Sequence, residues 1–195
     1  MAASEPIAPF RELYDRAMAS GARNSNAMTL ATVDEQGRPW TRMVLLKGFD
    51  ERGFVFYTNL ESRKGRQALA RPSVSLNFYL REIADRGHQV IIEGEAEPVS
   101  DAEADEYFAT RARGSQLGAW ASRQSRPTKG RAEILAEVAK IEARYPLKVP
   151  RPPHWSGFRV VPWYIEFWRE GRFRLHDRTV YERDGDGWKT YRLFP

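Results

Sequence analysis

Residues 27–58 read AMTLATVDEQGRPWTRMVLLKGFDERGFVFYT, and this stretch decides the fold. Its segments 27–33, 39–47 and 54–58 are rich in Val, Leu, Thr and aromatic residues, which favour β-strands. The clusters between them, DEQG and DERG, are typical of tight turns. Such short connections predict three antiparallel strands.

The flanking sequence adds helices and further strands. Apolar residues at helical spacing predict helices within residues 6–20 and 130–145. Ser62 can cap a helix that continues to Ala70, and a capping box at residues 100–103 opens another. Strands are expected at 73–79, at 89–99 with Glu side chains outward, and within 155–193. Six to eight strands with inserted and flanking helices predict the α+β class, as an antiparallel barrel.

Composition limits the chemistry that the chain can perform. Its 195 residues are 42% hydrophobic and 12% aromatic, enough for the core of one domain spanning residues 1–195. Without cysteine there is no disulfide, thiol nucleophile or Cys-ligated metal, and three histidines do not favour a metal site. Redox chemistry would therefore need an organic cofactor. No apolar run suits a membrane span or a signal peptide, so we expect a cytoplasmic protein with no membrane partner.

The net charge of +5 favours an anionic partner. Cations stand singly inside apolar segments, as Arg42 and Lys47 do. Because an unpaired buried cation is costly, this pattern favours phosphate pockets over a nucleic-acid surface. A solvated basic surface is the alternative.

Three clusters are candidates for anion binding. In a continuous strand, alternation would put Arg174, His176 and Arg178 on one face, where they would bind an anionic ligand or pair with nearby carboxylates. Arg63 and Lys64 fall in the first turn of a predicted helix, a position that suits a bound phosphate or a solvated turn. Tyr107, Arg111 and Ser115 would share one face of a continuous helix and could donate to a phosphate; alternatively, the Tyr belongs to the core.

Other catalytic patterns do not occur in the sequence. There is no Gly-x-Ser-x-Gly elbow, and adjacency puts His176 and Asp177 on opposite strand faces. No phosphate-binding Gly-x-x-x-x-Gly-Lys or Gly-x-Gly-x-x-Gly loop is present. These absences disfavour hydrolase, nucleoside triphosphatase and Rossmann dehydrogenase functions.

Taken together, the motifs resemble those of the pyridoxine (pyridoxamine) 5′-phosphate oxidases, flavoenzymes of the FMN-binding split-barrel family. The segments EFW at 166–168 and RLHDR at 174–178 resemble the family signature. Supporting motifs are RMVLLK at 42–47, FYTN at 56–59, SRK at 62–64, and SQLGAW at 115–120 followed by QS at 124–125. The resemblance covers residues 10–195. One departure is the stretch 79–89, which is longer than usual and has Leu80 and His88 where Trp and Arg are typical.

The resemblance implies a split β-barrel that forms a homodimer with FMN at the subunit interface. From one subunit it assigns FMN contacts to Arg42, Met43, Val44, Leu45, Leu46, Lys47, Tyr57, Thr58, Arg63, Lys64 and Gln89. From the other subunit it assigns Gln124, Ser125, Trp168 and Arg178. The substrate phosphate would meet Lys47, Tyr107, Arg111 and Ser115, and Arg174 and His176 would lie against the pyridine ring as catalytic residues.

The implied reaction oxidises pyridoxamine or pyridoxine 5′-phosphate to pyridoxal 5′-phosphate, with O2 as acceptor and H2O2 as product. Three alternatives stay open at this point. They are a split-barrel flavin oxidase acting on another aromatic substrate, a non-catalytic FMN- or pyridoxal phosphate-binding protein, and a nucleic-acid-binding protein.

Overall fold

The computed structural model describes residues 5–80 and 86–195. The helices are α1 (Ile7–Ala19), α2 (Arg63–Ala70), α3 (Asp101–Thr110), α4 (Arg113–Ala121) and α5 (Arg131–Arg144). The strands are β1 (Ala27–Val33), β2 (Pro39–Leu45), β3 (Gly48–Asp50), β4 (Gly53–Asn59), β5 (Ser73–Leu80), β6 (His88–Pro98), β7 (Trp155–Arg169), β8 (Asp177–Asp184) and β9 (Gly187–Arg192). The structure confirms the three strands predicted from the opening stretch and adds the short β3 to the count. The departures noted in stretch 79–89 fall partly on residues 81–85, which lie outside the described residues.

The described strands form one antiparallel sheet in the order β2-β1-β5-β6-β7-β4-β3, with β8 and β9 continuing from β7. Strand β7 organises this sheet because its first half pairs with β4 and its second half with β8, while β6 runs along its other edge. A register shift at Glu93/Gly94 interrupts the β6–β7 ladder. A Cβ on Gly94 would lie 2.3 Å from the Val161 carbonyl oxygen, so the strands approach closely at the shift. Such an irregularity increases strand twist, in keeping with the curled, split barrel that the sheet forms.

Aromatic packing closes the barrel. Phe10 of α1 is fully buried and meets Phe54 and Phe78 edge-on, with ring centroids 4.9 and 5.2 Å apart. A second, smaller cluster lies under the helices, where Phe108 and Leu117 pack with Trp155. The predicted antiparallel α+β barrel is therefore confirmed. In the described part of the chain, no helix is long and apolar enough to cross a membrane.

Two local predictions are wrong. Residues 172–174 form a short 3-10 turn, with Phe173 and Arg174 at positive φ, so no continuous strand carries Arg174, His176 and Arg178. The reversal brings Gly171 so close to Leu175 that a Cβ would clash with its carbonyl oxygen. The helix expected to run from Tyr107 to Ser115 is interrupted, because α3 ends at Thr110 and α4 begins at Arg113.

Candidate active site

A cavity of about 650 Å³ lies between the ends of β2 and β4, the first turn of α2 and the α3–α4 corner. It gathers many of the side chains that the sequence motifs singled out. These are Met43, Val44, Leu45, Lys47, Tyr57, Thr58, Lys64, Tyr107, Arg111, Ser115 and Gln124. Asn59, Ala112, Gly118, Ala119, Ser122 and Trp155 complete the lining and were not predicted.

Helix α2 supplies cations at one end of this cavity. The Ser62 hydroxyl accepts from the Gly65 N–H at 3.2 Å and fixes the first turn, as the capping prediction requires. Lys64 Nζ donates to Gln124 Oε1 at 2.7 Å and to Thr58 Oγ1 at 3.2 Å. Burial, reinforced by the neighbouring Arg42 charge, lowers the pKa of Lys64 to about 8. The described structure gives neither Lys64 nor Arg42 a carboxylate partner, which suits an anion-binding site.

Gln124 and Ser125 belong to the same end of the cavity within one chain. Gln124 Oε1 meets Lys64, and Ser125 Oγ accepts from the Arg63 N–H at 3.2 Å. Within one chain these two residues thus lie beside α2, whereas the resemblance assigned them to the partner subunit. The reason is topological: the chain that leaves α4 folds across the start of α2, with Ser125 at a positive φ of 70°.

Arg111 supplies a cation at the α3–α4 corner. Its guanidinium carbon lies 4.8 Å from the Trp155 ring centroid, and in the described part of the chain its buried Nη1 has no hydrogen-bond partner. Burial lowers the pKa of this guanidinium, which nevertheless stays charged at neutral pH because the pKa of arginine is so high. A buried cationic donor with no acceptor is costly unless a ligand completes it. The interruption between the helices thus gathers Tyr107, Arg111 and Ser115 around one cavity even though they share no helical face.

An aromatic wall joins Arg111 to β4. The Tyr57 ring stacks on Tyr107 with centroids 4.0 Å apart and on Trp155 at 5.3 Å, with the rings nearly parallel. Gly157, opposite Tyr57 in β7, leaves room for this wall, since a Cβ there would lie 2.7 Å from the Tyr57 ring. Burial, with the nearby Glu103 charge, raises the pKa of Tyr57 to about 12, so its hydroxyl is neutral. Sequence reasoning missed Trp155, although a glycine inside a strand is a signal for close packing.

A second group of candidate residues lies on β6, β7 and β8, outside the lining of this cavity. Gln89 is opposite Trp168, and Trp168 is opposite Arg178, so the three share one sheet face. The resemblance had placed Gln89 with one subunit and Trp168 and Arg178 with the other, whereas within one chain the three are neighbours. Arg178 makes a bidentate pair with Glu166 at 2.6 and 2.9 Å, so the ion-pair alternative holds for this arginine.

The turn that precedes β8 carries the remaining two candidates. His176 lies against Trp168, with ring centroids 4.7 Å apart, and its Nδ1 accepts from the Gly171 N–H at 3.1 Å. Arg174 is exposed on the same turn. Neither residue lines the large cavity of its own chain.

Two other candidates, Leu46 and Arg63, do not line the cavity. The Leu46 side chain is in the barrel core, and both of its backbone polar groups bond to Asn26. Arg63 extends over the Trp40 ring, with its guanidinium carbon 4.0 Å from the centroid.

The residues present fit FMN, as judged from the cavity itself. A flavin phosphate needs a cation without a carboxylate partner, which Lys64 provides in the lining with Arg42 near it, and a flavin ring needs a roomy, partly apolar cavity. The unpartnered Nη1 of Arg111 belongs to a different part of the lining and suits a second anionic group.

Comparisons with known proteins agree with this geometry. A family model described as pyridoxamine 5′-phosphate oxidase matches residues 14–145, and one described as the pyridoxine 5′-phosphate oxidase C-terminal dimerisation region matches residues 155–195. A pyridoxine/pyridoxamine 5′-phosphate oxidase of Myxococcus xanthus is 57% identical over 98% of this chain and 92% of its own length. One from Azorhizobium caulinodans is 54% identical over 100% of this chain and 92% of its own length.

Solved structures support the same placement. PhzG of Burkholderia lata 383, solved with tetrahydrophenazine-1-carboxylic acid, has a TM-score of 0.91 and 35% identity over 98% of this chain and 93% of its own. An FMN-binding protein related to pyridoxamine 5′-phosphate oxidase, from Nostoc punctiforme, has a TM-score of 0.78 and covers 100% of both chains. At 18% identity, it supports the split-barrel fold alone. The chain belongs to the pyridoxine/pyridoxamine 5′-phosphate oxidase family of enzymes.

Proposed function

We propose that this protein is an FMN-dependent oxidase that converts pyridoxamine or pyridoxine 5′-phosphate to pyridoxal 5′-phosphate. The observation that carries the proposal is a single cavity with unpaired cations in two parts of its lining, Lys64 in one and Arg111 in the other. FMN and the substrate both carry a phosphate and must contact each other, so each would need its own cation in the cavity. Oxidation of the alcohol by O2 yields H2O2, and oxidation of the amine also consumes water and releases ammonia.

In this proposal the α2 end of the cavity holds the FMN phosphate. Arg42, Arg63 and Lys64 supply charge, and Gln124 and Ser125 supply polar contacts from the same chain. The end of β2 and the two residues after it, Met43 to Lys47, then border the flavin, with Tyr57 and Thr58 opposite. Bound FMN supplies the electron chemistry, accepting a hydride equivalent and passing electrons to O2.

The Arg111 end of the cavity binds the substrate phosphate. Arg111 provides a planar set of donors, and Tyr107, Ser115 and Lys47 add a phenol, a hydroxyl and an ammonium. The aromatic wall holds Tyr107 and Arg111 in place, so the substrate is oriented by its phosphate before it reacts. No side chain is assigned as an obligatory base.

A second subunit completes each site in this proposal. Gln89, Trp168, Arg174, His176 and Arg178 do not line the cavity of their own chain, and the segment 155–195 matches a dimerisation region. A twofold dimer lets this group reach the partner's cavity. Arg174 and His176 would then lie against the pyridine ring, orienting it and favouring charge that develops on it.

A visible absorption spectrum tests the proposal. The purified protein is reconstituted with FMN and mixed anaerobically with pyridoxine 5′-phosphate. Bleaching of the flavin bands that reverses on admitting air, with formation of pyridoxal 5′-phosphate and H2O2, is the expected result. A bound flavin that stays oxidised, or a protein that binds no flavin, would contradict it.

The similarity to PhzG favours one second candidate, oxidation of a different aromatic acid on the same barrel. The two candidates differ in whether the substrate carries a phosphate. Flavin bleaching by the phosphate ester, but not by unphosphorylated pyridoxine at the same concentration, would support the first. Bleaching only by a non-phosphorylated aromatic acid would support the second.

A further inference from the structure

The side chain of Arg42 is held entirely by neutral groups. Its Nη1 donates to Thr32 Oγ1 at 2.6 Å and to the Leu30 carbonyl oxygen at 3.2 Å. Its Nη2 donates to Gln67 Oε1 at 3.2 Å, and the Thr32 hydroxyl donates to the same oxygen at 2.7 Å. Thr32 and Gln67 are both buried, at 1% and 9% exposure. The guanidinium is therefore fixed in direction while its charge stays uncompensated.

Three other partly buried arginines, outside this cavity, each pair with a carboxylate. Arg151 pairs with Asp101 and Asp105, Arg159 with Asp50 and Glu103, and Arg178 with Glu166. At position 67, glutamate would fill nearly the same volume as glutamine and would give Arg42 the same kind of partner. The presence of a neutral amide rather than a carboxylate at position 67 therefore requires an explanation.

The neighbours of Arg42 are also cations, which makes the lack of a carboxylate more costly. Burial and the Arg63 charge both lower the pKa of Arg42, and burial and the Arg42 charge lower that of Lys64. Among the described residues no carboxylate pairs with Arg42, Arg63 or Lys64, so the repulsion among these three cations is not relieved. Helix α2 carries both Lys64, which reaches the cavity, and Gln67, which holds Arg42.

We propose that Gln67 is a positioning residue that fixes Arg42 without neutralising it, which keeps the Arg42, Arg63 and Lys64 cluster fully charged for the phosphate of FMN. This inference rests on the proposed function. A carboxylate at position 67 would form charge-assisted hydrogen bonds to Arg42 and would compete with the phosphate for it. The same carboxylate would relieve the repulsion in the FMN-free protein, so stability and cofactor affinity would change in opposite directions.

The substitution Gln67→Glu tests this, with the dissociation constants of FMN and of riboflavin measured by quenching of flavin fluorescence. Riboflavin lacks the phosphate and reports on the ring site alone. The expected result is an FMN dissociation constant raised about tenfold or more, with riboflavin changed less than about twofold. The melting temperature of the FMN-free variant should equal or exceed that of the wild type.

Gln36→Glu is the matched control, because Gln36 Oε1 also accepts from an arginine, Arg38, at 3.1 Å but lies in an exposed turn. It makes the same change in net charge and should leave FMN binding within about twofold at physiological salt, where exposed charges are screened. Gln67→Leu is the second variant. It removes the acceptor and keeps the charge of Arg42, so FMN affinity should fall about threefold to tenfold with riboflavin unchanged.

An FMN affinity unchanged in either Gln67 variant would overturn the inference. So would equal losses for FMN and riboflavin, since these would mean that Gln67 only supports the fold. A wild-type chain that binds no FMN would overturn the proposed function and this inference with it. If the wild type binds FMN and the Gln67→Glu variant binds it equally well, only the inference is overturned and the proposed function stands.

Discussion

Lys64 is a residue whose charge the fold makes sensitive to pH just above neutrality. Its pKa of about 8 lies below the ordinary lysine value, so the unfolded chain holds this proton more tightly than the folded one. The unfavourable burial of the charge is fully present below about pH 8 and is relieved as the pH rises toward about 10. As the pH rises over that range, Lys64 loses its charge. The FMN-free protein therefore becomes more stable, and its attraction for a phosphate weakens.

We therefore predict that the FMN dissociation constant rises between pH 7 and pH 9.5, where the phosphate itself has already lost its second proton. Fluorescence titrations at several pH values measure this. Lys64→Met should bind FMN weakly at pH 7 and lose most of the pH dependence. A wild-type affinity that stays flat across the range would rule out Lys64 as a phosphate ligand.

Arg111 carries the second prediction at the residue scale. Because its buried Nη1 has no partner among the residues that the structure describes, Arg111→Ala should raise the KM for pyridoxine 5′-phosphate by about 10- to 100-fold, the range expected for hydrogen bonds to a charged group. Steady-state kinetics with H2O2 detection measure it. FMN affinity serves as the internal control and should stay near the wild-type value, since Arg111 lies apart from α2. An unchanged KM would remove Arg111 from the substrate site.

Helix α2 shows how an element, rather than a residue, sets the geometry of the cavity. Gly65 lets the helix approach the end of β4 so closely that a Cβ would lie 2.4 Å from the Leu60 carbonyl oxygen and 2.6 Å from that of Asn59. Gly65→Ala should therefore destabilise the protein by about 1–3 kcal/mol, despite the usual gain from alanine in a helix. Because Lys64 moves with the helix, FMN affinity should fall as well.

Gly114→Ala in α4 provides the control for this prediction, because a Cβ there meets nothing within 4 Å. That substitution should be neutral or stabilising by up to about 1 kcal/mol. Denaturant unfolding of both variants measures the difference. Similar stabilities would show that the contact between α2 and β4 tolerates a methyl group.

The division of candidate residues between two groups is a property of the whole molecule. If each site takes Arg111 from one chain and Arg174 from the other, Arg111→Ala and Arg174→Ala should complement each other. Equal mixing by co-refolding makes about half of the dimers mixed, and each mixed dimer has one intact site, so about a quarter of wild-type activity should return. Assayed at a substrate concentration below the wild-type KM, each variant alone should have little activity.

Activity that stays at the level of the separate variants would mean that Arg111 and Arg174 act within one chain. Size-exclusion chromatography with light scattering, applied to the mixture, confirms that dimers have re-formed. Mixing Arg111→Ala with Lys64→Met supplies the contrast, because those two residues line the same cavity. In that mixture each site of a mixed dimer carries one of the two changes and none is intact, so activity should stay at the level of the separate variants whichever chain supplies Arg174.

Most of the helices and strands, and most of the residue types in the site, could be predicted from the sequence alone. Strand and turn composition predicted β1, β2 and β4, and the Ser62 cap predicted α2, because these signals are local to a few residues. Motif resemblance selected Lys47, Lys64, Tyr107, Arg111 and Ser115 before any geometry was known. Each of these five lines the cavity.

Tertiary structure decided which of those residues meet. The Tyr107, Arg111 and Ser115 group converges through a corner between two helices, and Gln89 joins Trp168 and Arg178 through strand register; neither follows from sequence spacing. Trp155 and Gln67 act through residues more than 20 positions away, Tyr57 and Arg111 for the first and Arg42 for the second. Local sequence carries propensity and capping, whereas packing and unpaired charge depend on contacts that form only when distant segments fold together.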